Sequence, residues 1–100
     1  MAPGLPCVAT PMTQLVASFG LAIRQLRERQ GWSQESLAGR ADLHRPYVGE
    51  LERGQAIPSL VTLEKLASAL GLSLANLLAH AERISQRRLV RGIELKAIAC

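Results

Sequence analysis

The sequence predicts an all-α fold, and three observations predict it. Leu and Ala recur throughout while Phe, Trp and Tyr occur once each, a composition that suits helices packed by aliphatic side chains better than a sheet of β-branched and aromatic residues. Apolar residues return at intervals of three and four in five successive segments, the stripe of an amphipathic helix. Most of these segments start after a Ser or stop at a Gly, and the connections between them are short. One hundred residues with 48% hydrophobic content are enough for one modest core.

Met1 to Pro11 is Pro-rich and uncharged, without periodicity, and reads as an unstructured arm extending through residue 12. Met12 directly precedes the first helical pattern, so a start at Met12 and a functional arm are both compatible with it. From Thr13 to Gln30, Leu15, Val16, Phe19, Ile23 and Leu26 form the first stripe, ended by Gly31. Ser33 caps a second helix with Glu35 in its first turn, where the helix dipole favours a carboxylate, and Leu37, Ala38 and Ala41 are its buried face. Pro46 fits only the first turn of a third helix, which must therefore start near Leu43 to Arg45. Val48 and Leu51 face inward from it and Gly54 stops it.

Ser59 caps a fourth helix whose stripe is Leu60, Leu63, Leu66, Ala67 and Leu70, up to Gly71. Ser73 caps a fifth, with Leu74, Leu77, Leu78 and Ala81 apolar. Beyond Arg83 the pattern is ambiguous: SQRRLVRGIELKAIAC prolongs helix 5 as far as Gly92 or, because IELKAI alternates with a period of two, forms a strand. The expected division is an arm at 1–12, a helical domain at 13–82 and a C-terminal extension at 83–100.

The net charge of +4 suggests a polyanionic partner, yet between Gln14 and Leu70 seven Lys/Arg face six Asp/Glu, and the excess lies in the tail at Arg83, Arg87, Arg88, Arg91 and Lys96. Overall basicity is thus weak evidence for nucleic-acid binding. Cys7 and Cys100 sit near opposite ends without metal-ligand spacing, and His44 and His80 stand alone, so neither a zinc site, a disulfide framework nor a cofactor is expected. No nucleophile, base and orienting group occur together in a motif, which argues against an enzyme. The N-terminus does not look like a secretory signal, and no apolar run approaches the ~20 residues of a membrane span, so a cytoplasmic protein without membrane contact is expected.

The most informative stretch is SQESLAGRADLHRPYVGELERG, Ser33 to Gly54: two short helical patterns hinged at Asp42. Together with its surroundings, Ile23 to Leu78, it resembles the Cro/phage-repressor (XRE-like) helix-turn-helix family, and within that family the controller proteins of restriction-modification systems. The elements Gly31 to Glu35, Leu37 and Ala38, Tyr47 to Gly54, Pro58 and Ser59, and Leu66 to Leu70 carry the likeness in order and spacing. The resemblance implies a five-helix, lambda-repressor-like domain that binds double-stranded DNA as a homodimer on an inverted repeat and regulates transcription as a repressor or controller. It implies base reading by His44, Arg45, Pro46, Gly49 and Glu50, and backbone contacts by Gln34, Tyr47 and Arg53. It further implies an Arg27–Glu52 ion pair supporting the third helix, and a dimer seam at Leu74, Leu77 and Leu78 that shares its residues with the core.

Three positions depart from the family pattern. Asp42 stands where Gly is usual in the turn, Pro46 offers only apolar contact at a base-reading position, and Gly49 costs up to ~1 kcal/mol in mid-helix. Glu50 either accepts from a cytosine amino group or is simply solvated. The tail arginines are either an extra phosphate-binding strip or a solvated face, the latter being commoner. The competing functional expectation is an antitoxin or other interaction module that uses the same fold and takes a protein partner through residues 83–100.

Overall fold

The computed structural model describes the backbone of residues 11–99 and the side chains of residues 14–87. Its five helices are α1 (Pro11–Arg29), α2 (Gln34–Ala41), α3 (Arg45–Glu52), α4 (Leu60–Ala69) and α5 (Leu74–Ala99), with no strand among the described residues. Most of the expected arm and both cysteines lie outside the described residues, while α1 begins at Pro11, inside the segment expected to be unstructured.

The helix ends follow from local chemistry. Ser33, Ser59 and Ser73 each accept a hydrogen bond from the backbone N–H three residues on, at 3.0, 3.1 and 3.0 Å, satisfying donors that the first helical turn leaves open. At the end of α1, the N–H groups of Gly31 and Trp32 donate to the carbonyls of Glu28 and Arg27 at 3.0 and 3.2 Å. Gly31 takes the φ of +75° that this cap requires.

α5 packs along α1, α1 also crosses α3, and α2 sits against α3 and α4. Phe19, Ile23, Leu37, Val48, Leu51, Leu66 and Leu77 are the larger side chains of the single core they enclose. Where α1 crosses α3 the backbones nearly touch. A Cβ on Gly20 would collide with the Leu51 carbonyl oxygen and stand 2.8 Å from that of Glu52, so only glycine permits this approach.

Three expectations need correction. Leu15, placed in the α1 stripe, is exposed, and Leu60, placed in the α4 stripe, is 73% exposed. Leu60 is the first residue of α4, ahead of the turn that meets the core. Leu77, expected to be shared between the core and a dimer seam, takes the core share and is buried completely. Finally, the segment after Arg83 is helical through Gly92 to Ala99, further than either sequence alternative allowed. No Pro or N-cap interrupts it, and one glycine costs a helix only ~1 kcal/mol. Ile84, two residues past the expected domain boundary, belongs to the same core.

Candidate nucleic-acid interface

The hinge between α2 and α3 is a left-handed residue. Asp42 adopts φ +55° and ψ +52°, a region that a short polar side chain tolerates better than most. Its N–H and that of Leu43 donate to the carbonyls of Gly39 and Ala38 at 3.4 and 2.8 Å, closing α2 and turning the chain. From α4, Lys65 donates to the Asp42 carbonyl at 3.2 Å and pairs loosely with its carboxylate at 3.6 Å. The turn without glycine is thus held from outside.

α3 begins after His44, whose extended backbone caps the helix while its side chain makes no capping bond. Pro46 sits in the first turn, as its ring requires. His44, Arg45, Pro46 and Glu50 are exposed and form one edge of α3. Gly49 does not join them. It is buried, and a Cβ there would lie 3.1 Å from Nη1 of Arg53 and 3.6 Å from Oε1 of Gln34. The expectation that Gly49 faces a base is therefore corrected: two polar side chains fold over it.

Beneath α3 lies a network centred on Glu52. Arg27 donates from Nε to Oε2 at 2.6 Å and from Nη2 to Oε1 at 3.0 Å, a bidentate pair with side chains only 12% and 4% exposed. The third guanidinium nitrogen donates to the Trp32 carbonyl at 2.8 Å, tying the loop before α2 into the same network. The hydrogen-bonded Glu52 carboxylate raises the Arg27 pKa above its usual value, outweighing the opposite effect of burial. Gln34 donates from Nε2 to Oε1 of Glu52 at 3.0 Å.

The other expected backbone-contacting residues have partners of their own. The Tyr47 hydroxyl is 3.3 Å from Oγ1 of Thr62, which also accepts from Oγ of Ser59 at 3.1 Å, so α3 is tied to the N-cap of α4. Arg53 is exposed and donates from Nε to Gln55 at 3.1 Å. Sequence reasoning missed Gly20, Thr62, Lys65 and the guanidinium of Arg40, which lies 4.2 Å from the centre of the Trp32 ring. Gly20, Thr62 and Lys65 have no local signal, since each acts on an element distant in sequence, whereas Arg40 acts on the loop just ahead of its own helix.

Among the described residues no group of three or more His, Cys, Asp or Glu is arranged to hold a metal ion, and no single helix is long and apolar enough to cross a membrane.

Two short helices about a left-handed hinge, with the second exposed along one edge and braced from below, define a helix-turn-helix unit. The chain belongs to the HTH_3 helix-turn-helix family, whose model matches residues 23–77. It is 38% identical over 73 residues to the control protein C.MunI of a Mycoplasma species, covering 72% of this chain and 99% of that one. It is 42% identical over 60 residues to the HTH-type transcriptional regulator DdrOP3 of Deinococcus deserti, but there the match covers 60% of this chain and only 46% of the relative. Among solved structures, the restriction-modification controller protein C.AhdI of Aeromonas hydrophila superposes with a TM-score of 0.60 at 47% identity, over 62% of this chain and 94% of that one. The chain carries the DNA-binding unit of a transcriptional regulator, and these relatives are regulators, not enzymes.

Proposed function

We propose that this chain is a sequence-specific regulator that binds an inverted-repeat operator as a homodimer, in the manner of a restriction-modification controller. The observation that carries the proposal is the exposed edge of α3, His44, Arg45, Pro46 and Glu50, braced from below by the Glu52 network. Such an edge fits the major groove, and two copies would occupy successive grooves ~34–36 Å apart. Arg45 is the direct reader, bidentate to O6 and N7 of a guanine, worth roughly 1–3 kcal/mol of discrimination. Pro46 adds apolar contact with a thymine methyl. Gln34, Tyr47 and Arg53 position the domain on phosphates. Gln34 uses one amide hydrogen on Glu52 and has a second to donate.

Of the expected dimer seam, Leu77 belongs to the chain's own core, while Leu74 is half-buried and Leu78 exposed. Further exposed apolar side chains stand at the start of α4, where Ile57 is 72%, Leu60 73% and Val61 58% exposed. We assign dimerisation to Leu74 and Leu78 together with these side chains, because large exposed apolar residues are otherwise a liability. Linking two half-sites then raises avidity without any new DNA contact. Such a regulator acts where its DNA lies, in the cytoplasm.

A gel-shift against selected and random duplexes tests the proposal. Arg45→Ala should relax preference at one base pair per half-site, whereas Gln34→Ala should weaken all sequences alike. Equal affinity for every duplex, or the reverse pattern of the two variants, refutes it. The alternative of a protein partner is favoured by one feature, the continuation of α5 to Ala99. Because Ile84 is in the core, the informative truncation starts at residue 88: operator binding that survives while a co-encoded protein is no longer captured supports an antitoxin role.

A further inference from the structure

On the α1–α5 face, apart from α3, a concavity of about 310 Å³ is lined by Gln25 and Arg29 of α1 and by His80, Arg83, Ile84 and Arg87 of α5. Its charge is of one sign. Among the described residues none of the three arginines has a salt-bridge partner, and the lining contains no carboxylate. Glu28, next to Arg29 in sequence, is engaged by Arg24 at 3.2 Å. The base of the site is set: Nε2 of His80 lies 3.3 Å from Oε1 of Gln25, while Ile84 anchors α5 in the core.

Arg83 and Arg87, four residues apart, share one face of α5, and the α1–α5 packing brings Arg29 beside them, so three exposed guanidinium groups of like charge border one recess. Their gathering makes sense with an anion between them. Guanidinium forks match the oxygens of a phosphoryl group in pairs, and a water-exposed recess between rigid helices holds them at low conformational cost. At roughly 30 Å³ per water, the recess has the volume of about ten waters, enough for an oxyanion with one or two phosphoryl groups.

We propose that this recess is a phosphoryl-anion site in which Arg29, Arg83 and Arg87 hold the anion and His80 donates a further hydrogen bond when protonated. The phosphoryl group has two sources to choose between: a free small phosphate compound acting as an effector, or a backbone phosphate of DNA flanking the operator. The second source rests on the DNA-binding reading above; the first does not. His80 responds to occupancy. Burial, followed by Arg29, Arg83 and Arg87, holds its pKa below the ordinary 6.5; a bound anion reverses the arginines' effect and favours the charged ring.

The test follows the His80 ring by NMR while the full chain is titrated with pyrophosphate, with sodium chloride at matched ionic strength as control and His44 as internal reference. The same titration is run on the Arg83→Gln/Arg87→Gln variant, checked for folding by circular dichroism. A saturable rise of the His80 titration midpoint towards or above 6.5, with pyrophosphate only and abolished in the variant, establishes the free-anion source. In parallel, the salt dependence of duplex binding is measured for both proteins. A slope shallower by about two in the variant, as expected at ~0.9 for each phosphate left without its arginine, establishes the DNA source. Pyrophosphate no better than chloride, together with an unchanged salt slope, overturns the proposal. If neither protein binds any duplex, it is the DNA-binding reading that fails, and the pyrophosphate arm alone decides the site.

Discussion

Replacing Arg27 by Met removes one half of the pair beneath α3 while keeping the volume of its aliphatic stem. The Glu52 carboxylate, 4% exposed, would keep Gln34 as its remaining hydrogen-bond partner and lose both guanidinium bonds. Breaking a buried pair from one side costs ~3–5 kcal/mol, and because Arg27 retains some solvent contact at 12% exposure the low end applies, about 3 kcal/mol. For a domain of this size that is a fall in melting temperature of roughly 12–24 °C. Urea unfolding followed by helical circular dichroism measures it. The double variant Arg27→Met/Glu52→Leu should return to within ~1 kcal/mol of the parent, since replacing both charges by apolar groups removes the uncompensated charge. In gel-shifts under conditions where each variant is folded, base preference should be unchanged. A loss below ~1 kcal/mol for the single variant would put the pair with ordinary surface ion pairs, and an altered base preference would make Arg27 a reader. Either result refutes the bracing role.

Gly20→Ala should destabilise by at least ~1–3 kcal/mol, the cost of overpacking, because the added carbon meets the backbone carbonyls of Leu51 and Glu52, which cannot swing aside; an unchanged urea midpoint would mean that α1 and α3 lie further apart. Gly49→Ala should do the opposite: the nearest atom is the mobile Nη1 of Arg53 at 3.1 Å, so helix propensity contributes up to ~1 kcal/mol of stability, while gel-shifts show weaker binding to all duplexes alike. His80 predicts a pH dependence. Its folded pKa lies below 6.5, so the unfolded chain holds more protons between the folded value and 6.5. Stability is therefore complete above that window and declines as pH falls through it, and urea titrations across mildly acidic pH should show His80→Gln to be flatter.

All five helices are legible in the sequence because their signals are local: Ser caps, Gly stops, Pro46 in a first turn and apolar residues at helical spacing. The left-handed turn at Asp42 is legible for the same reason, since few residues tolerate it. What is not legible depends on neighbours distant in sequence. Leu60 and Leu77 look alike in an apolar stripe, yet one begins a helix beyond the core and the other points into the core, and only the helix crossings tell them apart. Gly20 carries no signal because its reason is the backbone of α3. Gly49 stands out in a helix interior, but its surroundings stay hidden, because periodicity places a residue on a face and does not reveal which side chains fold over it. The length of α5 is ambiguous because IELKAI suits two periods, and the helix preceding it decides between them.

Gly49 and Gln34 bear on how the proposed reading edge and the proposed positioning set share the surface of α3. The missing side chain at Gly49 leaves room for the Arg53 guanidinium and the Gln34 amide, each of which lies within 4 Å of where its Cβ would stand. Gln34 is fixed there by Glu52, Glu52 by Arg27, and Arg27 by the Trp32 carbonyl just ahead of α2. Both donors proposed to meet phosphates are therefore tied to α3, Gln34 through Glu52 and Arg53 as the C-cap of the helix itself. Loosening that support should weaken binding to all duplexes alike without changing base preference, whereas substituting Arg45 at the exposed start of α3 leaves the network intact. On the proposed roles, the base read at Arg45 or Pro46 could change without altering how the domain docks, because neither residue belongs to the Glu52 network.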